Sequence, residues 1–235
     1  MLIPSEKITN SETLIREMHK KYYKNFNENI TFIQLNQEIA EDGKIKHHMS
    51  FEAFHYPGRF RNDFGPVPGK DGYIIANDTM YIYEKGVLKS KKYAVDDIML
   101  LTGDIYFMPV EEAISELKKA GYDLTKFRED TWKNKPAYVV GADKGDETKP
   151  QFWIDKEELY IVRNINYDLE DGQFEDQHFL EHAKVDKAWV EERVEIYVKG
   201  RMIKKEHYAE VKANGKLDLQ IFDAKYFGTK HWRNK

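Results

Sequence analysis

Residues 30–56 read ITFIQLNQEIAEDGKIKHHMSFEAFHY, and their period of two decides the fold. Ile33, Leu35 and Ile39 alternate with Gln34, Asn36 and Glu38. Successive side chains of a strand point to opposite faces, so this spacing predicts a strand with one apolar face. Asp42-Gly43 then interrupts it. That dipeptide accepts the positive φ of a tight hairpin turn. Beyond it Met49, Phe51 and Ala53 again take alternate positions, so 44–56 predicts the returning strand of a hairpin.

The pattern continues outward. Pro57-Gly58 breaks the chain, Arg59 to Phe64 reads as a short strand, and residues 65–72, with two prolines and three glycines, read as a loop. Tyr73–Ala76, Met80–Glu84 and Val87–Tyr93 then form a meander, with turns at Asn77-Asp78 and Lys85-Gly86. On the N-terminal side, 9–25 predicts a helix. Thr9 with Glu12 fits a capping box, and Leu14, Met18 and Tyr22, with Ile15 beside them, make one apolar stripe.

Residues 95–121 depart from the strand pattern. Ile98-Met99-Leu100-Leu101 is apolar on all sides, which predicts a buried segment. Val110, Ile114 and Leu117 make a helical stripe, Pro109 suits a first turn, Glu111 and Glu112 suit the positive end of a helix dipole, and Gly121 suits a C-terminal cap. One or two inserted helices are expected. Strands resume at 126–132, 136–142, 150–155, 159–168, 173–184, 190–199 and 201–213, with turns at Asp171-Gly172, Lys199-Gly200 and Asn214-Gly215. The segment Ile221–Gly228 reads as a last helical turn or an edge strand.

Many short strands, tight turns and few helices predict a mainly β (α+β) chain with a single antiparallel sheet. A sheet this large curls to reduce its exposed edges, giving an incomplete β-barrel with helices over its concave face or open end. The chain reads as one domain, 1–235, parsed as an N-terminal helix (9–25), a first half of sheet (30–93), inserted lid helices (95–121), a second half of sheet (126–213) and a C-terminal extension (214–235).

Composition excludes several functions. Charged residues are 33% of the chain, yet the net charge is only −4 and neither half is strongly basic, so nucleic acid is not an expected partner. The absence of cysteine removes disulfides, thiolate catalysis and cysteine metal sites. No apolar run approaches the roughly 20 residues of a membrane-spanning helix. Met1-Leu2-Ile3-Pro4 is too short for the apolar core of a signal peptide, so an exported protein would be represented here by its mature part.

Catalytic signatures are few. G-x-S-x-G, H-E-x-x-H, P-loop and G-x-G-x-x-G motifs are all missing. His48, Ser50 and Glu52 share one face of a strand and are the least ordinary cluster, but roots roughly 7 Å apart make a serine–histidine contact awkward. The solvated face of a strand is the plainer reading, and a serine hydrolase the less favoured alternative. His178 and His182 would share a face only on a helix, and their surroundings are strand-like. Asp143, Asp146 and Glu147 lack the alternate-residue ligand spacing of a calcium loop and read as a polar hairpin tip. No catalytic residue, metal or cofactor is therefore expected. Arg59 and Arg61, flanking Phe60, could pair with a phosphate or carboxylate at a barrel rim, or simply with acidic neighbours across the sheet. Ile98–Leu101, followed by Ile105-Tyr106-Phe107-Met108, is either core or the lid of a hydrophobic cavity. A lid methionine adapts to irregular ligands because its chain is flexible and polarisable.

The order helix, Phe32-x-Gln34 strand, long hairpin, Pro57-Gly58-Arg59-Phe60-Arg61, Tyr81-x-Tyr83 and inserted apolar helix resembles the outer-membrane lipoprotein-sorting proteins, the LolA/LolB-like family. Phe152-Trp153-Ile154-Asp155, Arg163 in the next strand and Phe222-Asp223 also fit, so the likeness covers about residues 10–225. It implies an incomplete antiparallel barrel with helices as a lid, and a non-catalytic periplasmic carrier of lipid or lipoprotein acyl chains. Donor or acceptor proteins at a membrane would be its partners, and a monomer its state. Carriers of the family often place an arginine directly before the second-hairpin proline; here that position is Tyr56, preceded by His55. Arg59 and Arg61 match the arginines after that proline.

The ligand-binding residues expected from the apolar faces are Ile33, Leu35, Met49, Phe51, Ile98, Leu101, Ile105 and Tyr106, with Arg59 and Arg61 as charged rim contacts. Leu35→Glu is then expected to weaken lipid uptake more than folding. The rival reading is an envelope protein-interaction or sensing module on the same fold, with a filled core and no lipid.

Overall fold

A computed structural model describes residues 7–94, 96–168 and 172–233, Asp168 without its side chain. The turn expected at Asp171 and the segment Met1–Pro4 lie outside the described residues, and Val95 in the inserted segment does too. The strands follow the sequence reading closely. The first half of the sheet comprises β1 (Asn29–Ile39), β2 (Ile45–His55), β3 (Arg59–Phe64), β4 (Asp71–Ala76), β5 (Thr79–Glu84) and β6 (Val87–Tyr93). The second half comprises β7 (Phe127–Trp132), β8 (Lys135–Val140), β9 (Gln151–Asp155), β10 (Ile161–Asp168), β11 (Gln173–Leu180), β14 (Arg193–Val198) and β15 (Arg201–Ala213), with a separate hairpin of β12 (Ala183–Val185) and β13 (Ala188–Val190). The expected strands 173–184 and 190–199 each break near one end to release that hairpin. Positive φ at Glu181 and Asp186 lets the chain leave the ladder and turn.

Thirteen strands form one antiparallel sheet in the order β6-β5-β4-β3-β2-β1-β15-β14-β11-β10-β9-β8-β7. It is two meanders sewn together where β1 pairs β15 along Ile30↔Ala213 through Glu38↔Lys204. The strands nearest the chain ends therefore meet in the middle, and the strands from mid-chain, β6 and β7, become the two free edges. Register shifts in the β1–β15, β14–β15, β9–β10 and β5–β6 ladders add local twist and help the sheet curl without closing.

This topology dictates where the inserted helices lie. The connection from β6 to β7 must travel from one edge of the sheet to the other. It does so across the concave face as α2 (Asp97–Thr102), a 3-10 turn (Asp104–Tyr106) and α3 (Val110–Lys119). The N-terminal helix α1 (Ser11–Tyr22) packs beside them and buries Leu14, Ile15, Met18 and Tyr22. Full burial of each of those apolar side chains stabilises by about 1.5–3 kcal/mol. The capping box differs from the expected one by a residue. Asn10, not Thr9, caps α1, and Thr13 returns the bond where Glu12 was expected. Glu12 instead pairs with Arg16, whose guanidinium also reaches Glu111 of α3 at 3.2 Å.

The C-terminal residues 214–233 take the opposite side of the sheet. Asn214 has positive φ, as expected, but no strand follows it. Instead two 3-10 turns, Leu219–Phe222 and Ala224–Tyr226, lay Ile221, Phe222 and Phe227 over the outer face of β2–β4. Thus Ile221–Gly228 holds helical turns and no edge strand.

Candidate functional site

The concave side holds the main core. Ile30, Phe32, Phe54, Phe60 and Ile75 come from the first meander, and Val140, Phe152, Ile154, Phe179 and Val194 from the second. Met99, Leu100, Leu101, Ile105, Tyr106 and Leu117 of the helical cover meet them. Aromatic contacts are dense: Phe32 stacks on Tyr208 at 4.1 Å between ring centres, and Phe26 lies 4.4 Å from Tyr106.

Two carboxylates moor the cover, one to each half of the sheet. The Asp97 carboxylate accepts from Asn164 and Asn166 of β10, both at 2.8 Å, and from the Tyr122 hydroxyl at 3.0 Å. The Asp104 carboxylate accepts the backbone N–H of Gly58, in the β2–β3 turn, at 3.0 Å. Beside it a side chain on Gly103 would start 1.9 Å from the Tyr56 ring, so only glycine lets cover and turn approach this closely. Tyr56 also stacks with Phe107, 6.1 Å between ring centres. Tyr56 therefore touches the cover through its aromatic ring. Asp96 caps α2 by accepting from the Met99 N–H at 2.9 Å.

Between cover and sheet remains a cavity of about 30 Å³, lined by Ile98 and Thr102 of α2, Ile30, Phe32, Phe54, Tyr56 and Tyr208 of the sheet side, and Trp189–Glu191. That is room for a water or two. The chamber is also acidic. Burial raises the Glu52 carboxyl to about 8, with Glu206 adding repulsion and Lys204 and Ser50 opposing. Burial raises Asp104 to about 7 against the Gly58 hydrogen bond, and Asp96 and Glu191 move the same way while keeping some exposure. Desolvation disfavours the charged form of each.

The expected ligand residues divide by face. Ile98, Leu101, Ile105 and Tyr106 belong to the cover and pack in or against the main core, and of these Ile98 lines the cavity. Ile33, Leu35, Met49 and Phe51 do not. They project from the outer face, where Leu35 is 42% and Met49 48% exposed, and Phe51 is buried against the C-terminal His231 and Arg233. The chamber is faced by the alternate residues Ile30, Phe32 and Phe54, which sequence reasoning passed over. Their signal was available: a phenylalanine stands at each of 32, 54 and 60. It was obscured because both faces of these strands carry apolar residues.

The arginines also differ from expectation. Arg61 is no rim residue. It is fully buried on the outer face, donates to Asp63 at 2.6 and 2.7 Å and to the Ile221 carbonyl at 2.9 Å, and lies over the Phe227 ring. Arg59 pairs in register with His55 on β2 and keeps partial exposure. Of the hydrolase cluster, the Ser50 hydroxyl donates to Glu52 at 3.2 Å, whereas His48 lies 3.7 Å from Glu38. Ser50 thus faces an acid and an amide, Asn36, and has no histidine base among the described hydrogen bonds. His178 sits 3.0 Å from Asp176, while His182 contacts the Ile161 carbonyl, so they do not converge. Asp143 and Glu147 pair with Lys126 and Arg163, and Asp146 accepts from Thr148. No cluster of metal-ligating side chains occurs among the described residues.

No protein-family model matches the chain, and no curated protein does. Solved structures do. A LolA superfamily protein from Nitrosomonas europaea aligns with a TM-score of 0.60 at 10% identity, over 93% of this chain and all of its own. A DUF1329 family protein from Desulfovibrio piger gives 0.61 at 12% identity over the same shares. A putative outer membrane lipoprotein-sorting protein domain from Vibrio parahaemolyticus gives 0.57 at 15%, over 93% of this chain and 98% of that one. The unclosed antiparallel sheet, its helical cover and these alignments together give the chain the LolA-like fold of lipoprotein-sorting proteins.

Proposed function

We propose that this protein is a non-catalytic periplasmic carrier that shelters lipid or lipoprotein acyl chains beneath its helical cover. The observation that carries this reading is the build of the chamber. An apolar, aromatic cluster, bordered on the same face by the buried Gln34, Asn36, Ser50 and Glu52, is roofed by a segment that crosses from edge to edge of an open sheet. The cover is moored at Asp97 and Asp104, so it can swing while the sheet stays intact. The structure is then the closed state. Loading displaces α2, and the apolar surface that the core loses to water is regained against the ligand at roughly 25 cal/mol per Å². The likeness to a lipoprotein-sorting domain supports the envelope setting.

The test is organic extraction of purified, folded protein followed by mass spectrometry. Phospholipid or acylated peptide at near-stoichiometric amount supports the carrier. A clean extract, together with no uptake of a fluorescent acyl chain by the folded protein, overturns it in favour of an interaction module with a filled core. The cavity of about 30 Å³ is the one feature that favours this second reading.

A further inference from the structure

The first free edge of the sheet is chemically unlike the rest of the molecule. β6 is exposed at every position, with Val87, Leu88 and Tyr93 at 59, 39 and 68%. Between Thr79 and Tyr93 the chain carries Lys85, Lys89, Lys91 and Lys92 against a single acid, Glu84, although the whole chain has a net charge of −4. At the tip of the β5–β6 hairpin the Gly86 N–H donates to the Lys70 carbonyl at 2.7 Å, which brings the exposed Lys70 into the same patch. The Lys89–Glu84 pair spans 3.9 Å between exposed groups and neutralises little. Lysines on an edge strand are a usual guard against edge-to-edge aggregation. That role does not call for three exposed apolar or aromatic side chains on the same strand, since these would promote the pairing that the lysines prevent. Lysine interleaved with tyrosine and aliphatic residues is instead the composition of a surface that meets lipid headgroups and dips into the acyl boundary.

We propose that the β5–β6 edge hairpin is a docking surface for an anionic phospholipid membrane. Seven residues of extended chain present a strip roughly 20 Å long. Lys91, with Lys89 beside it, contacts phosphate headgroups along it, while Leu88 and Tyr93, which share a face with Lys91, insert next to them. The position couples docking to the chamber. Ala94 donates to the Asp78 carbonyl at the hairpin base, and α2 begins at Asp97, so the docking strand leads directly into the cover. A membrane seated on β6 is therefore next to the segment that must move for an acyl chain to pass. This inference extends the carrier reading, but its test does not depend on it.

The experiment is co-sedimentation of the full chain with vesicles of phosphatidylcholine alone or mixed with phosphatidylglycerol. Binding is expected only with the anionic lipid, and it should fall as salt rises, because screened charges attract less. Lys89→Ala with Lys91→Ala should weaken it roughly thirtyfold, at about 1 kcal/mol for each lysine near an anionic surface. Both side chains are exposed, and an unchanged unfolding temperature would show that the fold is intact. Lys133→Ala with Lys135→Ala, exposed at the other edge, should have little effect. Equal binding to both vesicle types, no binding to either, or equal losses in the two double variants would each overturn the proposal. Lipid in the extract without charge-dependent vesicle binding would leave the carrier reading intact and remove this surface alone. Vesicle binding with a clean extract would do the reverse.

Discussion

Leu35 and Phe32 stand three residues apart on β1 and face opposite sides of the sheet, so they separate the two possible assignments of its concave face. Leu35 is 42% exposed on the outer side. Leu35→Glu is now expected to change stability by no more than about 0.5 kcal/mol and to leave acyl uptake unaltered. Phe32 is 3% exposed and stacked on Tyr208. Phe32→Ala should cost about 3–5 kcal/mol, from lost burial and the cavity left behind, as read by urea unfolding. A comparable loss is expected on the outer face, where Arg61 and Asp63 are both fully buried. Burial alone would raise the Asp63 carboxyl, but the hydrogen bonds from Arg61, with His231 3.4 Å away, outweigh it and hold it below its ordinary range. Asp63→Ala strands a buried guanidinium and should destabilise by about 3–5 kcal/mol, whereas replacing both partners by apolar residues should cost much less. A double-variant unfolding cycle measures the difference.

The inserted helical cover is the element whose behaviour should depend on pH. Asp104 moors it, and burial raises this carboxyl from its ordinary 3.8 to about 7; Glu52 on the facing strand rises from 4.5 to about 8. A folded state that holds protons the unfolded chain has released loses stability as pH rises through those values. Their contribution is complete near pH 4 and gone above about 8. His182 works the other way: burial lowers it from 6.5 to about 4, so its contribution is present above 6.5 and fades as pH falls towards 4. Between pH 6.5 and about 8 the carboxyls act alone among these groups, and the unfolding temperature should fall. Asp104→Asn with Glu52→Gln keeps hydrogen-bonding amides and should flatten that decline. A decline of unchanged slope would mean the cover is not under carboxyl control. The elements themselves were legible: β6 and β15 have the expected bounds, since Lys85-Gly86 and Lys199-Gly200 fix their turns locally. The β12–β13 hairpin was not, because apolar residues run through 183–190 without a glycine or proline to mark where one ladder ends.

For the whole molecule, the sheet has no closed barrel to protect it, and two different coverings do that work. The cover from mid-chain shields the concave face, and residues 214–233 shield the outer face of β2–β4. Ending the chain after Ala213 would uncover Ala53 and Phe51 and leave Arg61 and Asp63 open to water on that side. Such a protein is expected to unfold at a distinctly lower temperature and to self-associate through the exposed apolar patch, which calorimetry and size-exclusion chromatography would show. The β1–β15 seam joins residues far apart in sequence, so the entropy of closing that long loop makes it a late and slow contact in folding.

The amino-acid sequence by itself determined the local structure: strand period, turn positions, a helical insert between two meanders, and the absence of thiol chemistry. Each of these depends on interactions within a few residues, where φ preferences and alternation act directly. Only the tertiary structure decided which face of β1 and β2 is concave, that β1 pairs β15, and that Arg61 is sealed beneath the C-terminal segment. The physical reason is parity. Both faces of β1 and β2 carry apolar residues, Phe32 and Phe54 beside the polar Gln34 and Glu52 on one, Leu35, Met49 and Phe51 on the other, so the period of two does not say which set faces the chamber.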